Sequence, residues 1–142
     1  MEQESGIPGL GAKRLNLHHS ELPLREVRAA ILHFLGQGYP RLEHVADKVG
    51  ITQRTLQRRL SAAGTSYTQL VNELRFGLAA KLLEDPVVPI ASIAKQAGFV
   101  NHSGFSRAFH AWTGMTPRQY RAQLLTRSVR GKLSRNPLGD PD

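Results

Sequence analysis

One face of a short segment near the middle of this 142-residue chain carries side chains that can read base pairs. At about 100° per residue, Arg54, Gln57 and Arg58 lie together on one side of a helix. Leu56 and Leu60 lie on the opposite side, which is expected to face the core. Arginine donates paired hydrogen bonds to guanine and glutamine pairs with adenine, each pair giving about 1–3 kcal/mol of discrimination. A solvated helix face is the alternative, but no Asp or Glu occurs from residue 48 to residue 72 to form ion pairs there.

A second segment carries a milder version of this face. Phe105, Phe109 and Trp112 form its apolar stripe and are expected in the core, whereas Arg107 is the only cation on the opposite side. A plain surface helix is therefore a stronger alternative here than in the first segment. The corresponding positions of the two faces are Arg54 and Ser103, Gln57 and Ser106, Arg58 and Arg107, and Ser61 and His110.

Each face follows a copy of one short motif, first at residues 45–51 and again at residues 93–99. A small residue, then glycine at a tight turn, then a helix is typical of a helix-turn-helix, whose second helix enters the major groove. Two copies in register on a basic chain favour DNA binding. The matched pairs are Ala46 with Ala94, Gly50 with Gly98, Leu56 with Phe105, Arg58 with Arg107 and Leu60 with Phe109.

Composition points to the same kind of partner. The net charge is +8, and 14 of the 19 cations are arginine, the side chain best suited to phosphate and guanine, although a GC-rich genome also enriches arginine. Cysteine is absent, which excludes disulfides, thiolate metal sites and cysteine nucleophiles. An acidic start without an apolar stretch predicts no signal peptide, and no apolar run is long enough to span a membrane. We expect a cytoplasmic protein.

Helical patterns fill the middle of the chain, and no window alternates as a strand would, so the expected fold class is all-α. The predicted helices cover approximately residues 23–36, 41–48, 53–63, 66–84, 89–97, 102–113 and 117–125. The expected organisation is a flexible lead-in or linker remnant (1–22), a first helix-turn-helix subdomain (23–64), a linker helix (66–84), a second subdomain (89–125) and a disordered tail (126–142).

Capping residues mark where several of these helices begin. Thr52 is the expected N-cap of the first base-reading helix. Ser66 with Gln69, and Thr116 with Gln119, have the spacing of a capping box.

The linker helix has a predicted purpose. About 19 residues at ~1.5 Å each give a rod of roughly 28 Å, and successive major grooves on one face of B-DNA lie ~34 Å apart. Such a spacer would let a monomer read two grooves.

The second copy and its surroundings resemble the C-terminal signature of the AraC/XylS transcriptional regulators. The resemblance spans about residues 24–124, and the upstream Leu56–Leu60 segment followed by Gly64 resembles that family's first helix-turn-helix. The signature residues are Ile90, Ile93, Ala94, Gly98, Phe99, Ser103, Phe105, Ser106, Arg107, Ala108, Phe109, Gly114, Pro117, Tyr120 and Arg121.

This resemblance implies seven helices in two subdomains joined by a long helix, with double-stranded promoter DNA and RNA polymerase as partners. The implied base contacts are Arg54, Gln57, Arg58, His102, Ser103, Gly104 and Arg107. The phosphate contacts expected beside them are Arg59, Ser61, Ser106, His110, Arg118 and Arg121.

Three departures from the family pattern matter. Gly104 lies inside a base-reading helix, where it costs roughly 1 kcal/mol relative to alanine and offers no side chain to a base. His110 stands where a lysine or arginine is usual, which weakens a phosphate contact at neutral pH. Only about 22 residues precede the motif region, where most members carry an effector or dimerisation domain. We therefore expect a stand-alone regulator or the DNA-binding part of a longer one, without its own small-molecule pocket.

Other classes of function remain as alternatives. An enzyme is disfavoured because cysteine and a glycine-rich phosphate loop are both absent and the six histidines follow no recognised metal pattern. No catalytic residue, cofactor or metal site is predicted. A non-specific nucleic-acid or RNA binder, or a protein-interaction module that keeps the fold without reading sequence, is the main alternative. Competition binding separates these possibilities.

Overall fold

The computed structural model describes the backbone of residues 22–135 and the side chains of residues 24–130, and seven helices without a strand fill this range. The all-α prediction is therefore confirmed. The predicted lead-in lies almost wholly outside the described residues, as does the chain after Arg135. The helices are α1 (Leu22–Leu35), α2 (Leu42–Val49), α3 (Gln53–Ala62), α4 (Tyr67–Leu83), α5 (Ile90–Gln96), α6 (His102–Thr113) and α7 (Pro117–Arg135).

The last helix corrects one sequence-based boundary. A disordered tail was expected from residue 126, yet α7 continues to Arg135. No proline occurs between Pro117 and Pro137, so nothing in this stretch forces the helix to end. Within the extension, the Thr126 hydroxyl donates to the Ala122 carbonyl at 3.0 Å, a bond within the helix.

The chain forms two compact units that divide between Leu74 and Arg75, inside α4. Each unit has its own core. Leu32, which shares the spacing of the α1 apolar stripe, is 44% exposed and lies outside the first core. Buried apolar side chains of the first unit are Val27, Ala30, Ile31, Leu35, Val45, Ala46, Leu56, Leu60, Leu70 and Val71.

The second unit has an aromatic core. Phe105 and Phe109 of α6 are fully buried, with ring centroids 5.7 Å apart. The Phe109 ring also lies 5.1 Å from the ring of Tyr120 and 6.1 Å from that of Trp112. Contacts of this kind add about 0.5–1.5 kcal/mol each to the burial of the rings. They hold the apolar side of α6 inward, so its polar side faces outward.

The two helix-turn-helix copies make the same turn. Gly50 ends α2 with φ +78°, and Gly98 follows α5 with φ +85°, a backbone region that glycine adopts without steric cost. The Ile51 N–H donates to the Ala46 carbonyl at 3.0 Å, and the Phe99 N–H donates to the Ala94 carbonyl at 2.9 Å. Because these bonds recur 48 residues apart, the internal repeat inferred from sequence is a repeat of structure.

Both copies also begin their second helix in the same way. The Thr52 hydroxyl accepts from the Thr55 N–H at 3.0 Å, as predicted for an N-cap. In the second copy, the Asn101 side-chain oxygen accepts from the Gly104 N–H at 2.8 Å. These caps are 49 residues apart, so the second turn contains one additional residue, Val100.

The two predicted capping boxes differ in completeness. The Thr116 N–H donates to the Gln119 side chain at 3.0 Å, and the Gln119 N–H donates to the Thr116 hydroxyl at 3.1 Å. At the start of α4, the Gln69 N–H donates to the Ser66 hydroxyl at 3.2 Å.

In the described part of the chain, no helix combines the length and apolar content needed to cross a bilayer.

Candidate nucleic-acid interface

The face of α3 carries the strongest donors. Arg54, Gln57 and Arg58 are all exposed, while Leu56 and Leu60 on the other side are buried. Among the described residues, no carboxylate forms an ion pair with either arginine of this face. The two guanidinium groups and the amide are thus presented to solvent with their hydrogen-bonding capacity available.

Two more α3 residues were expected at phosphates. Ser61 is exposed, and Arg59 is half-buried at the margin of the same helix. Arg59 also lies in the last turn of α3, where a cation favours the negative end of the helix dipole. Both residues remain predicted phosphate contacts.

The outward face of α6 carries more uncharged polar side chains than cations. Arg107 and His110 are exposed along it, as are His102 and Ser103 at its start. Ser106 is half-buried between them. Arg107 is the one arginine or lysine of this helix, so its exposed face carries fewer cationic donors than that of α3.

Gly104 has no conformational reason to be glycine. A methyl group built on it would lie 3.4 Å from Oδ1 of Asn101 and 4.0 Å from the Phe99 ring. Its backbone is helical, and its N–H already donates to Asn101. A small side chain would therefore fit at Gly104. Because glycine has none, only backbone atoms are available for contacts at this position of the α6 face.

Charge distribution separates the second unit from the first. Residues 86–139 contain no Asp or Glu at all, a feature that inspection of motif spacing alone missed. In the described residues, the ion pairs between arginine and carboxylate lie in the first unit, as Arg28 with Glu73 at 3.8 Å and Arg41 with Glu43 at 3.5 Å. The cations around α6 thus have no acidic neighbour along the sequence to offset their charge.

A shallow recess brings three predicted contacts together. It has a volume of about 240 Å³ and lies where α7 begins, beside the start of α6. His102 and Ser106 line it from α6, and Arg118 lines it from the first turn of α7. An anion is favoured near a helix N-terminus with an arginine beside it. The remaining lining residues are Ile90, Thr116 and Pro117.

Arg121, an expected phosphate contact, donates to two backbone carbonyls within the second unit. Its side chain is half-buried, with Nε donating to the Leu83 carbonyl at 3.1 Å and a terminal nitrogen donating to the Val88 carbonyl at 2.7 Å. The guanidinium thus links the end of α4 to the segment before α5. These two bonds use two of the five N–H donors of the guanidinium and favour a structural role for Arg121, while the phosphate contact expected from sequence stays a prediction.

Arg75 is a second structural arginine, and the sequence reasoning missed it. It is 8% exposed, its Nε donates to the Ala97 carbonyl and its terminal nitrogen donates to the Gly98 carbonyl, both at 2.9 Å. Its Cζ lies 3.7 Å from the centroid of the Phe99 ring, in a cation–π contact. Arg75 therefore fixes the turn of the second helix-turn-helix.

A comparable anchor exists in each unit. The Tyr67 hydroxyl of α4 donates to the Pro40 carbonyl at 2.8 Å, and Arg121 of α7 donates to the Val88 carbonyl, 48 residues later. Each carbonyl lies just before the first helix of its helix-turn-helix. Burial, with Tyr39 as a smaller cause, raises the pKa of Tyr67 well above its ordinary range, so its hydroxyl stays protonated to donate.

The described residues contain no group of three or more His, Asp or Glu side chains that could hold a metal ion. His44 lies 3.6 Å from Glu43 as an exposed pair. The His18–His19 pair lies outside the described residues.

Known proteins are similar to this chain in sequence. A family described as "Helix-turn-helix domain" matches residues 45–123, more than half of the chain. The ornithine utilization regulator of Pseudomonas aeruginosa is 39% identical over 98 residues, which cover 69% of this chain and 29% of that protein. VirS, a helix-turn-helix-type transcriptional regulator of Mycobacterium tuberculosis, is 41% identical over 80 residues, covering 56% and 24%. The chain thus spans less than a third of the length of these curated relatives.

Solved structures agree in fold. A transcriptional regulator with an AraC-type DNA-binding domain, from Chromobacterium violaceum, aligns with a TM-score of 0.66 and 27% identity, covering 74% of this chain and 94% of that one. The DNA-binding domain of AdpA, solved in complex with a target DNA, aligns with a TM-score of 0.61 and 28% identity, covering 82% and 98%. With its two helix-turn-helix copies, its signature residues and these matches, the chain belongs to the AraC/XylS family of helix-turn-helix transcriptional regulators.

Proposed function

We propose that this chain binds double-stranded promoter DNA at a specific sequence and regulates transcription, with α3 and α6 each entering a major groove. The observation that carries the proposal is the repeated helix-turn-helix, in which the same turn hydrogen bond and an equivalent N-cap precede each second helix, and the polar face of that helix is exposed. The AdpA domain, similar over most of its length, was solved with target DNA.

In this proposal α3 is the main reader. Arg54, Gln57 and Arg58 are exposed donors of the kind that distinguish guanine and adenine edges. On α6, Arg107 is the principal reader, helped by His102 and Ser103. We therefore expect one half of the target site to be defined more strictly than the other.

The phosphate backbone supplies the remaining affinity. Ser106 and Arg118 meet at the recess where α7 begins and are suited to hold one phosphate. Arg59, Ser61 and His110 flank the two reading faces and are proposed as further backbone contacts. Contacts of this class fix register and orientation without reading sequence.

We further propose that a single molecule reads two successive major grooves. α4 belongs to both units, so one chain carries two complete helix-turn-helix copies without needing a second subunit. Most helix-turn-helix proteins bind two half-sites one helical turn apart as dimers. A monomer with two copies achieves the same with one chain.

Site selection from random DNA, followed by footprinting of the selected site, tests this function. The purified chain should prefer its selected site over random DNA by ~10³-fold or more and protect two major-groove faces one turn apart. Protection of a single groove would exclude the bipartite version. Equal binding to all sequences would favour the alternative of a non-specific binder, and no binding at all would favour a protein-interaction module.

A matched pair of variants assigns the reading face. Arg58→Ala should lower the preference for the selected site by about 1–3 kcal/mol and relax the choice at one base pair. Arg25→Ala removes another exposed arginine, from α1 and outside both reading faces, and should leave that preference unchanged. A loss of the same size in both variants would show that only total charge matters.

RNA polymerase is the proposed protein partner. One relative is named as a transcriptional activator, CfaD of Escherichia coli, which is 32% identical over 76 residues. Transcription in a purified system from a promoter carrying the selected site measures the effect directly. An activator raises the yield of transcript from that promoter only when the site is present.

A further inference from the structure

The second helix-turn-helix contains an exposed apolar side chain directly before its reading helix. Val100 is 97% exposed and precedes Asn101, the N-cap of α6. The two residues after Asn101, His102 and Ser103, are proposed base contacts. Val100 is therefore an exposed apolar side chain next to the polar residues Asn101, His102 and Ser103 at the start of this helix.

Val100 is also the residue by which the two turns differ. The copies match 48 residues apart up to Phe99 and 49 residues apart from Asn101 onward. Both copies contain the same hydrogen bond at the turn and an equivalent bond at the N-cap. The additional residue therefore disturbs neither the turn bond nor the cap bond. Among the described residues, no hydrogen bond involves Val100 and no core residue covers its side chain. It contributes nothing to the packing of its own unit.

The first residues of a helix-turn-helix reading helix are those that approach base edges. In the major groove, thymine presents one apolar feature, its C5 methyl group, which only thymine carries among the four bases. A branched aliphatic side chain held at the groove buries against such a methyl group and away from water. Polar neighbours cannot make this contact.

We propose that Val100 is a specificity residue that contacts the C5 methyl group of one thymine at the edge of the α6 half-site. The inference rests on the proposed function, because it requires α6 to enter the major groove. It assigns to the second unit an apolar element of recognition that compensates for the missing side chain at Gly104.

Deoxyuridine substitution tests the contact at a single methyl group. Each thymine of the selected site is replaced in turn by deoxyuridine, which lacks only the C5 methyl, and affinity is measured for the unmodified protein and for Val100→Ala. For the unmodified protein, one position in the α6 half-site should weaken binding about fourfold, the factor expected for one methyl group. The same DNA should bind Val100→Ala no more weakly than unmodified DNA does.

Val87→Ala is the matched control, because Val87 is an 82% exposed valine in the loop before α5. It should respond to each deoxyuridine as the unmodified protein does. Equal responses of the unmodified protein and Val100→Ala at every position, or a selected α6 half-site without thymine, would overturn the inference while leaving specific DNA binding intact. Failure to select any site would overturn the proposed function as well.

Discussion

Replacement of Arg121 by methionine distinguishes a structural arginine from one that contacts DNA. Methionine keeps the apolar stem but removes the guanidinium that bridges the Leu83 and Val88 carbonyls. A hydrogen bond from a charged donor contributes about 1.5–3 kcal/mol when fully buried. Because Arg121 is only half-buried, we assign about 1 kcal/mol to each bond and expect a total loss of about 2 kcal/mol.

That loss is large for a unit of this size. For a domain of 60–100 residues, 1 kcal/mol shifts the midpoint of thermal unfolding by about 4–8 °C. We therefore expect Arg121→Met to lower the unfolding midpoint of the second unit by roughly 8–16 °C. Circular dichroism at the helical signal measures this shift.

DNA binding gives the second readout. A side chain that neutralises one phosphate contributes about 0.9 to the slope of log affinity against log salt. Arg118→Ala should lower that slope by about 0.9 with little effect on stability, because Arg118 is exposed. Arg121→Met should leave the slope unchanged and weaken protection only at the groove read by α6.

The opposite pattern would refute this reasoning. If Arg121→Met lowers the salt slope by about 0.9 and leaves the unfolding midpoint where it was, Arg121 contacts a phosphate and its two carbonyl bonds are dispensable. The phosphate contact predicted from sequence would then be confirmed.

Three further predictions concern stability. Arg75→Met should lower the unfolding free energy by about 3 kcal/mol, since it breaks two buried charged hydrogen bonds, whereas Arg25→Met should change it little in the same denaturant titration. Gly104→Ala should raise that free energy by up to about 1 kcal/mol unless Asn101 Oδ1, 3.4 Å from the new methyl, cannot move. The raised pKa of Tyr67 means that the folded state holds its proton more tightly than the unfolded state, so stability should fall as pH rises above about 10. A Tyr67→Phe variant, titrated in parallel, should show a smaller fall over that range.

The helices and their starts could be predicted from the sequence because their causes are local. Thr52 and the Thr116–Gln119 pair act on backbone within three residues, and the structure contains those bonds. The apolar stripes of α3 and α6 depend on spacing within one helix, and Leu56 and Phe109 are buried as expected. The internal repeat was likewise readable, because both copies use glycine at the same turn.

The two structural arginines could not be predicted in this way. Arg121 bonds to carbonyls 33 and 38 residues earlier in the chain, and any residue type supplies a carbonyl, so no side-chain pattern marks the partner. Arg75 lies four residues after Val71 and four before Ala79, both fully buried, and this spacing was the one available signal. In the sequence of a basic chain, a solvent-facing arginine cannot be distinguished from a buried one until the packing is known.

The paired anchors have a consequence for how such a protein acquires new targets. Tyr67 and Arg121 each bond to the backbone that precedes a helix-turn-helix, and neither bond involves an exposed side chain of α3 or α6. Exchange of the outward side chains therefore leaves the framework intact. Under the proposed function, substitutions on one of these faces change the sequence preference of that unit without removing its anchor.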